Sequence, residues 1–165
     1  MEINQKEIED KWQKIWEDKK VFETNLDEKK EKFFGTVAYP YANSILHIGH
    51  GRTFTSAEIF LRYQRLLGKN VLFPMGFHIS GTPVLAVADA IKKGEEKQIK
   101  ITKDAISEYL DDENKIEETL KTFKEAENIA KFFSQTIEDS FKKIGIGIDW
   151  RRKFSTGDKL YNKFI

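Results

Sequence analysis

The sequence predicts an α/β protein in which a small parallel sheet is flanked by helices. Two short apolar segments, residues 33–38 and 70–75, are rich in strand-forming residues. Helical patterns follow them, over residues 49–67 and from Pro83 to about Gly94. Because parallel strands need a crossover connection, this strand–helix–strand–helix succession indicates a right-handed parallel arrangement. We therefore expect an incomplete sheet of two or three strands.

The first helix and the helix after the first strand are both predicted to bury an apolar face. Asn4 and Glu7 resemble a capping box at the start of the first helix. Trp12 and Trp16 recur on one side of that helix, so we expect them in the core. In the helix over 49–67, the apolar residues that recur are Phe54, Ile59, Tyr63 and Leu66, with Gly68 as the C-terminal stop.

The second half of the chain is predicted to be mainly helical. Residues 95–127 are rich in charge and indicate short helices on the surface, and residues 129–144 have the pattern of an amphipathic helix. Residues 148–154 fit either a third strand or an extended segment, and a further helix is expected to begin at 161–165. We expect residues 76–81 to form a turn before Thr82, the predicted N-cap of the helix that continues with Pro83.

Composition limits the classes of function. The 165 residues contain 28 Lys and Arg against 27 Asp and Glu, so the net charge of +1 gives no electrostatic reason to expect nucleic acid binding. There is no cysteine, which excludes disulfides and thiolate metal sites. The charged first residues lack the apolar core of a signal peptide, and no apolar run approaches a membrane span of about 20 residues. We expect a soluble, cytoplasmic protein with no membrane partner.

The stretch from Tyr39 to His50 combines a strand end with a helix start. Pro40 cannot donate to a sheet ladder, so the strand should end there, and the following helix then carries His47 and His50 in its first turn. Free amides at a helix N-terminus favour phosphate, and histidines three residues apart share one helix face. The same pair also fits a structural role or half of a metal site, and Gly49 between them fits either close packing or contact with a flat group such as a nucleobase.

His47-Ile48-Gly49-His50 resembles the HIGH signature of class I aminoacyl-tRNA synthetases letter for letter, and Pro40-Tyr41-Ala42-Asn43 and Leu46 match its extended form. The resemblance continues through residues 62–74, 148–152 and 158–165. Residues 76–84 are similar to the version in leucyl-tRNA synthetases of the archaeal and eukaryotic type, whereas the bacterial type usually has aspartate in place of His78.

The resemblance implies the first half of a Rossmann-like, HIGH-type nucleotide-binding sheet. It also implies a division of the chain into four parts. These are an N-terminal helix and linker (1–32), the first half of the catalytic domain (33–94), a helical insertion (95–147) and a truncated return segment of the catalytic domain (148–165).

For the nucleotide, the resemblance implies that His47 and His50 are catalytic residues. They would bind the ATP phosphates and stabilise the charge that develops at the α-phosphate, which fits a reaction that depends on positioning and electrostatics. Gly49 would lie against the adenine, and Asn43 would also bind ATP. The resemblance implies Mg²⁺ with the ATP and no metal site on the protein.

For the amino acid, the resemblance implies a pocket wall formed by the turn at Ala38, Tyr39 and Tyr41. Backbone groups of Tyr39 would lie near the α-amino group of the amino acid. His78, on the loop after the second strand, would lie opposite and help to hold the ligand, although a loop histidine can also simply bond its own backbone.

The activity implied is activation of leucine to leucyl-adenylate and transfer to tRNA(Leu). The lysine-rich KMSKS motif, an editing domain and an anticodon-binding domain are not found in these residues, so we expect an N-terminal fragment that is inactive alone. A second chain could carry the remainder of the enzyme. The alternatives are an isoleucyl, valyl or methionyl enzyme, or a self-standing HIGH-type nucleotidyltransferase that acts on a small carboxylic acid.

Overall fold

The computed structural model describes residues 3–164 and divides them into two compact units. Unit 1 comprises the described residues up to Ala38, then Ile48–Met75 and Ser140–Lys153; unit 2 comprises Tyr39–His47, Gly76–Asp139 and the described residues from Phe154 onward. Met1, Glu2 and Ile165 lie outside the described residues. They include the two ends of the predicted four-part division and the last residue of the predicted helix start at 161–165.

Unit 1 contains the predicted strand–helix–strand passage. Its elements are α1 (Gln5–Asp18), β1 (Lys32–Phe34), α2 (Ile48–Leu66), β2 (Asn70–Leu72) and a 3₁₀ helix (Trp150–Arg152). β1 and β2 are parallel, with Phe33 opposite Val71. The parallel α/β prediction is confirmed, although both strands are shorter than the apolar runs that predicted them. Within residues 148–154, predicted as a strand or an extended segment, residues 150–152 form a 3₁₀ helix and a strand begins at Phe154.

α2 buries a different face from the predicted one. Only Phe54 of the predicted core residues is buried, and it is joined by Glu58, Leu61 and Gln64. The other predicted core residues remain exposed: Ile59 is 66%, Tyr63 54% and Leu66 81% exposed. α2 has apolar residues at helical spacing on two faces, and side-chain periodicity alone cannot tell which of two apolar faces meets the core.

α1 begins as predicted but buries none of its residues. The Asn4 carboxamide oxygen accepts a hydrogen bond from the Glu7 N–H at 3.4 Å, which confirms the N-cap. Trp12 is 47% exposed, so its predicted core position is wrong. Trp16 is half-buried; its ring meets the edge of Phe22 with centroids 5.6 Å apart. α1 therefore packs through partly buried contacts such as the one between Trp16 and Phe22, not through a fully buried apolar face.

Asp149, whose side chain is fully buried, joins three segments of unit 1. It accepts hydrogen bonds from the Thr24 N–H at 2.9 Å and from the Arg151 guanidinium at 2.8 and 2.9 Å. Its own N–H donates to the Phe73 carbonyl at 2.9 Å. Burial alone would raise the pKa of Asp149, but the bonds from Arg151 and Thr24 outweigh it and hold the pKa below its ordinary value.

α2 is fixed to the glycine-rich segment 145–147 by two arginines. Arg62 donates to the Gly145 carbonyl at 3.0 Å and Arg65 to the Gly147 carbonyl at 2.8 Å. Burial lowers the pKa of Arg65, partly offset by the nearby carboxylate of Glu58. Both arginines also lie over the ring of Phe22, at 5.1 Å from its centroid. The segment therefore receives two charge-assisted hydrogen bonds from one helix.

Unit 2 has a helical core beside two short strands. Its elements are β3 (Gly76–Phe77), α3 (Thr82–Lys92), α4 (Glu96–Ser107), α5 (Glu113–Thr122), α6 (Ala126–Lys143, whose last residues belong to unit 1), β4 (Phe154–Ser155) and a 3₁₀ helix (Tyr161–Lys163). This last element is a short 3₁₀ helix at the place where the sequence predicted a helix to begin. The predicted turn at 76–81 thus contains a strand. Thr82 is the first residue of α3, and the predicted N-cap position is taken by Gly81, whose φ of 90° suits glycine.

Residues 95–127 form helices, as predicted, but these helices are not confined to the surface. α4 and α5 each contribute one face to the core cluster of unit 2, which includes Val84, Ile91, Ile106, Ile116, Leu120, Phe123, Ile129 and Phe133. Charged residues occupy their other faces, where Lys103 pairs with Glu113 at 2.5 Å and Glu117 at 2.6 Å. Each of these two helices has a narrow apolar stripe among its many charges, and such a stripe is enough to bury one side of a helix.

Among residues 3–164, no helix has the length and apolar character needed to cross a membrane.

Candidate active site

Three segments of unit 2 run parallel to one another and end at the same edge. β3 pairs with β4 on one side, with Gly76 opposite Phe154. On the other side, His78, which directly follows β3, forms a parallel bridge with Tyr41. In open parallel sheets, ligands bind beyond the carboxyl ends of the strands. The edge that carries Tyr41 and His78 is therefore the candidate ligand-binding edge of this unit.

His78 is held by its main chain and by one aromatic ring. Its N–H donates to the Pro40 carbonyl at 2.9 Å, and its carbonyl accepts from the Ala42 N–H at 3.1 Å. The imidazole meets the Tyr41 ring with centroids 4.2 Å apart and an interplanar angle of 62°. Tyr41 is 42% exposed and His78 is half-buried. The pair thus has a fixed geometry, and part of its surface is accessible to a ligand.

Tyr39 lies at the other end of β3 and depends on Gly76. Its ring meets the edge of Phe154 with centroids 5.3 Å apart, and Phe154 in turn stacks on Tyr161. A Cβ atom at Gly76 would come within 2.7 Å of the Tyr39 ring. Glycine at this position therefore lets the tyrosine lie directly on the strand backbone. No sequence pattern assigned a role to Gly76, whose only signal is its place beside an apolar run.

Three of the four residues predicted for the amino acid pocket therefore lie along β3 in unit 2, namely Tyr39, Tyr41 and His78. Ala38, the fourth, is the exposed residue immediately before Tyr39 and is the last residue of its segment of unit 1.

The residues predicted to bind ATP lie along the sequence before α2 and in its first turn, and they belong to both units. Asn43 is half-buried in the turn after Tyr41, and His47 is exposed at the end of that segment of unit 2. α2 begins at Ile48, so Gly49 and His50 lie in its first turn, where both are half-buried. His47 precedes the helix, and its predicted place in the first turn is wrong by one residue. Side-chain patterns locate a helix start only to within a residue or two.

Across the described residues, no group of three or more His, Asp or Glu side chains is placed to hold a metal ion. The histidines have other surroundings: His78 lies against Tyr41, and both His47 and His50 take part in interactions within the structure.

The fold has a counterpart among solved structures. The ternary complex of Agrobacterium radiobacter K84 agnB2 LeuRS, tRNA and LeuAMS superimposes with a TM-score of 0.71 at 21% identity, covering 97% of this chain and 17% of that chain. At 21% identity this likeness shows that the two chains share a fold over these residues.

The sequence comparison gives the family. The family model for class I tRNA synthetases (I, L, M and V) matches residues 11–165. The chain belongs to this family, and the resemblance stated from the HIGH signature is confirmed.

Two similar proteins within the family are both named leucine--tRNA ligase. The chain is 48% identical over 158 residues to a leucine--tRNA ligase of Staphylothermus marinus and 47% identical over 163 residues to one of Methanocaldococcus jannaschii. These matches cover 96% and 99% of this chain but only 16% of each relative. The chain therefore spans about a sixth of the length of these relatives.

Proposed function

We propose that this chain supplies amino-acid-binding and ATP-binding residues of a leucine--tRNA ligase, which activates leucine as leucyl-adenylate and transfers it to tRNA(Leu). Family membership and the shared name of the similar proteins support this proposal. The observation that carries it is the Tyr41–His78 pair at the carboxyl edge of β3. In the proposed enzyme these two residues would contact the amino acid, and they already lie against each other without a ligand.

Leucine would lie against this pair. The backbone of Tyr39 would face the α-amino group, while the rings of Tyr41 and His78 would contact the rest of the ligand. An apolar side chain with charged α-groups suits such a wall, because aromatic rings cover the side chain and backbone groups bond the polar atoms.

ATP would lie at the start of α2. A carboxylate oxygen of leucine attacks the α-phosphorus, the bond from that phosphorus to the β-phosphate bridging oxygen breaks, and pyrophosphate leaves. His47 and His50 would donate hydrogen bonds to phosphate oxygens as their charge grows, Gly49 would lie against the adenine, and Asn43 would add a polar contact. Mg²⁺ is proposed as the counter-ion of the ATP phosphates.

The 165 residues by themselves are proposed to be inactive. They span 16% of the relatives, so the remaining steps, including tRNA(Leu) binding, are assigned to parts of the enzyme beyond these residues, on the same chain or on a second chain.

A chimera tests the proposed function. This chain would replace the matching 163-residue stretch of the M. jannaschii leucine--tRNA ligase, and amino-acid-dependent ATP–pyrophosphate exchange would be measured with leucine, isoleucine, valine and methionine. We expect robust exchange with leucine and much weaker exchange with the other three. Because a single methylene separates affinities by only about 10–200-fold, the panel must cover a wide concentration range.

The isolated chain is the matched control and should show no exchange above background. Preference of the chimera for isoleucine, valine or methionine would contradict leucine as the substrate. Strong exchange by the isolated chain would favour the self-standing nucleotidyltransferase instead.

A further inference from the structure

Thr156 lies just beyond β4 and contacts residues on both sides of His78. It is 6% exposed, and its N–H donates to the Phe77 carbonyl at 3.0 Å. Its hydroxyl oxygen accepts from the N–H groups of Ile79 and Ser80, both at 3.1 Å. The same oxygen lies 2.8 Å from the Ser80 hydroxyl. One side chain therefore binds the two residues that follow His78, and its backbone binds the residue before.

The number of hydrogen bonds at the Thr156 hydroxyl determines which of the two hydroxyls, Thr156 or Ser80, donates to the other. A threonine hydroxyl has two acceptor lone pairs and one proton. Both lone pairs are used by the N–H groups of Ile79 and Ser80, so the proton of Thr156 is the one donated to the Ser80 oxygen. Thr156 thus uses its full hydrogen-bonding capacity on the loop that carries His78.

The segment that carries Thr156 is itself held rigidly. The Asp158 carboxylate accepts from the Ser155 N–H at 2.8 Å and from the Ser155 hydroxyl at 2.7 Å, and the Asp158 N–H returns a bond to the Ser155 carbonyl. A Cβ atom at Gly157 would come within 2.6 Å of the Ile79 side chain. The turn and the His78 loop are therefore packed closely as well as hydrogen-bonded.

We infer that Thr156 is a positioning residue for amino acid recognition: it clamps the loop over residues 79–80 and so holds the His78 imidazole against Tyr41. Pro40 and Ala42 fix the backbone of His78 from one side of β3, and Thr156 fixes the neighbouring residues from the other. The consequence for leucine binding rests on the proposed function of His78, whereas the clamp itself does not.

Valine at position 156 keeps the size of threonine but removes the hydroxyl, leaving the N–H groups of Ile79 and Ser80 without their acceptor. The loop must then move to satisfy them. Thr156→Ser retains the hydroxyl and should preserve the clamp. Thr102→Val is the matched control, because Thr102 is 3% exposed and also loses one hydroxyl partner, Gln98, but lies in α4.

The first readout is the position of His78 in the 165-residue chain. The chain has three histidines, so their imidazole C–H signals can be resolved by NMR and that of His78 assigned with His78→Gln. We expect Thr156→Val to shift the His78 signal, because its place beside the Tyr41 ring changes, and Thr156→Ser and Thr102→Val to leave it near the original position. A His78 signal unmoved by Thr156→Val would overturn the inference.

The second readout is exchange kinetics in the chimera. We expect Thr156→Val to raise the leucine KM roughly tenfold with the ATP KM unchanged, and Thr156→Ser to restore it. A general loss of folding would lower activity toward both substrates, and equal effects on both KM values would overturn the positioning role. If His78→Ala itself leaves the leucine KM unchanged, the proposed function fails while the clamp stands on the NMR result.

Discussion

Replacing both His47 and His50 with alanine in the chimera is expected to lower leucyl-adenylate formation by about 10²–10³. The negative charge on the α-phosphate oxygens grows in the transition state, and hydrogen-bond donors placed for that charge contribute more to it than to ground-state binding. The loss should therefore appear mainly in kcat rather than in the KM for ATP. Single-turnover formation of the adenylate is the measurement that isolates this step.

Ser56→Ala is a suitable control, because Ser56 is exposed on α2, which also carries His50, and its hydroxyl donates to the Arg52 carbonyl within that helix. It should leave the rate within about twofold. If the double histidine variant formed adenylate at the original rate while folded, His47 and His50 would have no part in the mechanism.

Asp149→Ala is expected to reduce the free energy of unfolding by about 3 kcal/mol. The substitution leaves the Thr24 N–H without its acceptor and removes the carboxylate that Arg151 binds. The carboxylate joins the Thr24 segment to the turn that carries Arg151, whereas the bond from the Asp149 N–H to the Phe73 carbonyl is kept in the variant. Urea denaturation of the 165-residue chain, followed by tryptophan fluorescence, measures the change.

The same network predicts a pH dependence. Because the folded state lowers the pKa of Asp149, its stabilising contribution is fully present above the ordinary aspartate value of about 3.9 and is lost as the pH falls through the lowered folded-state pKa. The stability difference between the original chain and Asp149→Asn should therefore be constant near neutral pH and shrink below about pH 4. A difference that grows on acidification would contradict the assignment.

Asp89→Asn provides the comparison for both experiments. Asp89 pairs with Lys93 on the surface at 2.6 Å, and their side chains are 59% and 63% exposed. Solvent screens exposed pairs of this kind, so this variant should be nearly as stable as the original chain. A large effect at Asp89 together with a small one at Asp149 would mean that burial does not decide the strength of these pairs.

Local patterns predicted the elements that depend on neighbouring residues. The β1–α2–β2 passage follows from two apolar runs separated by a helical pattern, and Gly68 ends α2 with φ of 82° as its position indicated. The candidate residues Tyr41 and His78 were placed on different segments by sequence reasoning, and parallel pairing explains why they meet.

Contacts between distant segments were beyond sequence reasoning. The choice of the Leu61 face over the Ile59 face of α2 depends on what packs against the helix, and the sequence offers apolar residues for both. Trp12 is exposed for the same reason: what packs against α1 leaves its apolar side partly buried at most. The clamp by Thr156 joins residues 76 or more positions apart, and nothing near Thr156 in sequence indicates it.

The leucine KM of the His78→Ala chimera tests most directly whether the edge beyond β3 holds the amino acid. We expect a rise of roughly tenfold or more in the KM for leucine, with the KM for ATP unchanged, because one wall of the amino acid pocket is lost and the nucleotide contacts at α2 remain. An unchanged leucine KM, or a change confined to ATP, would contradict the account.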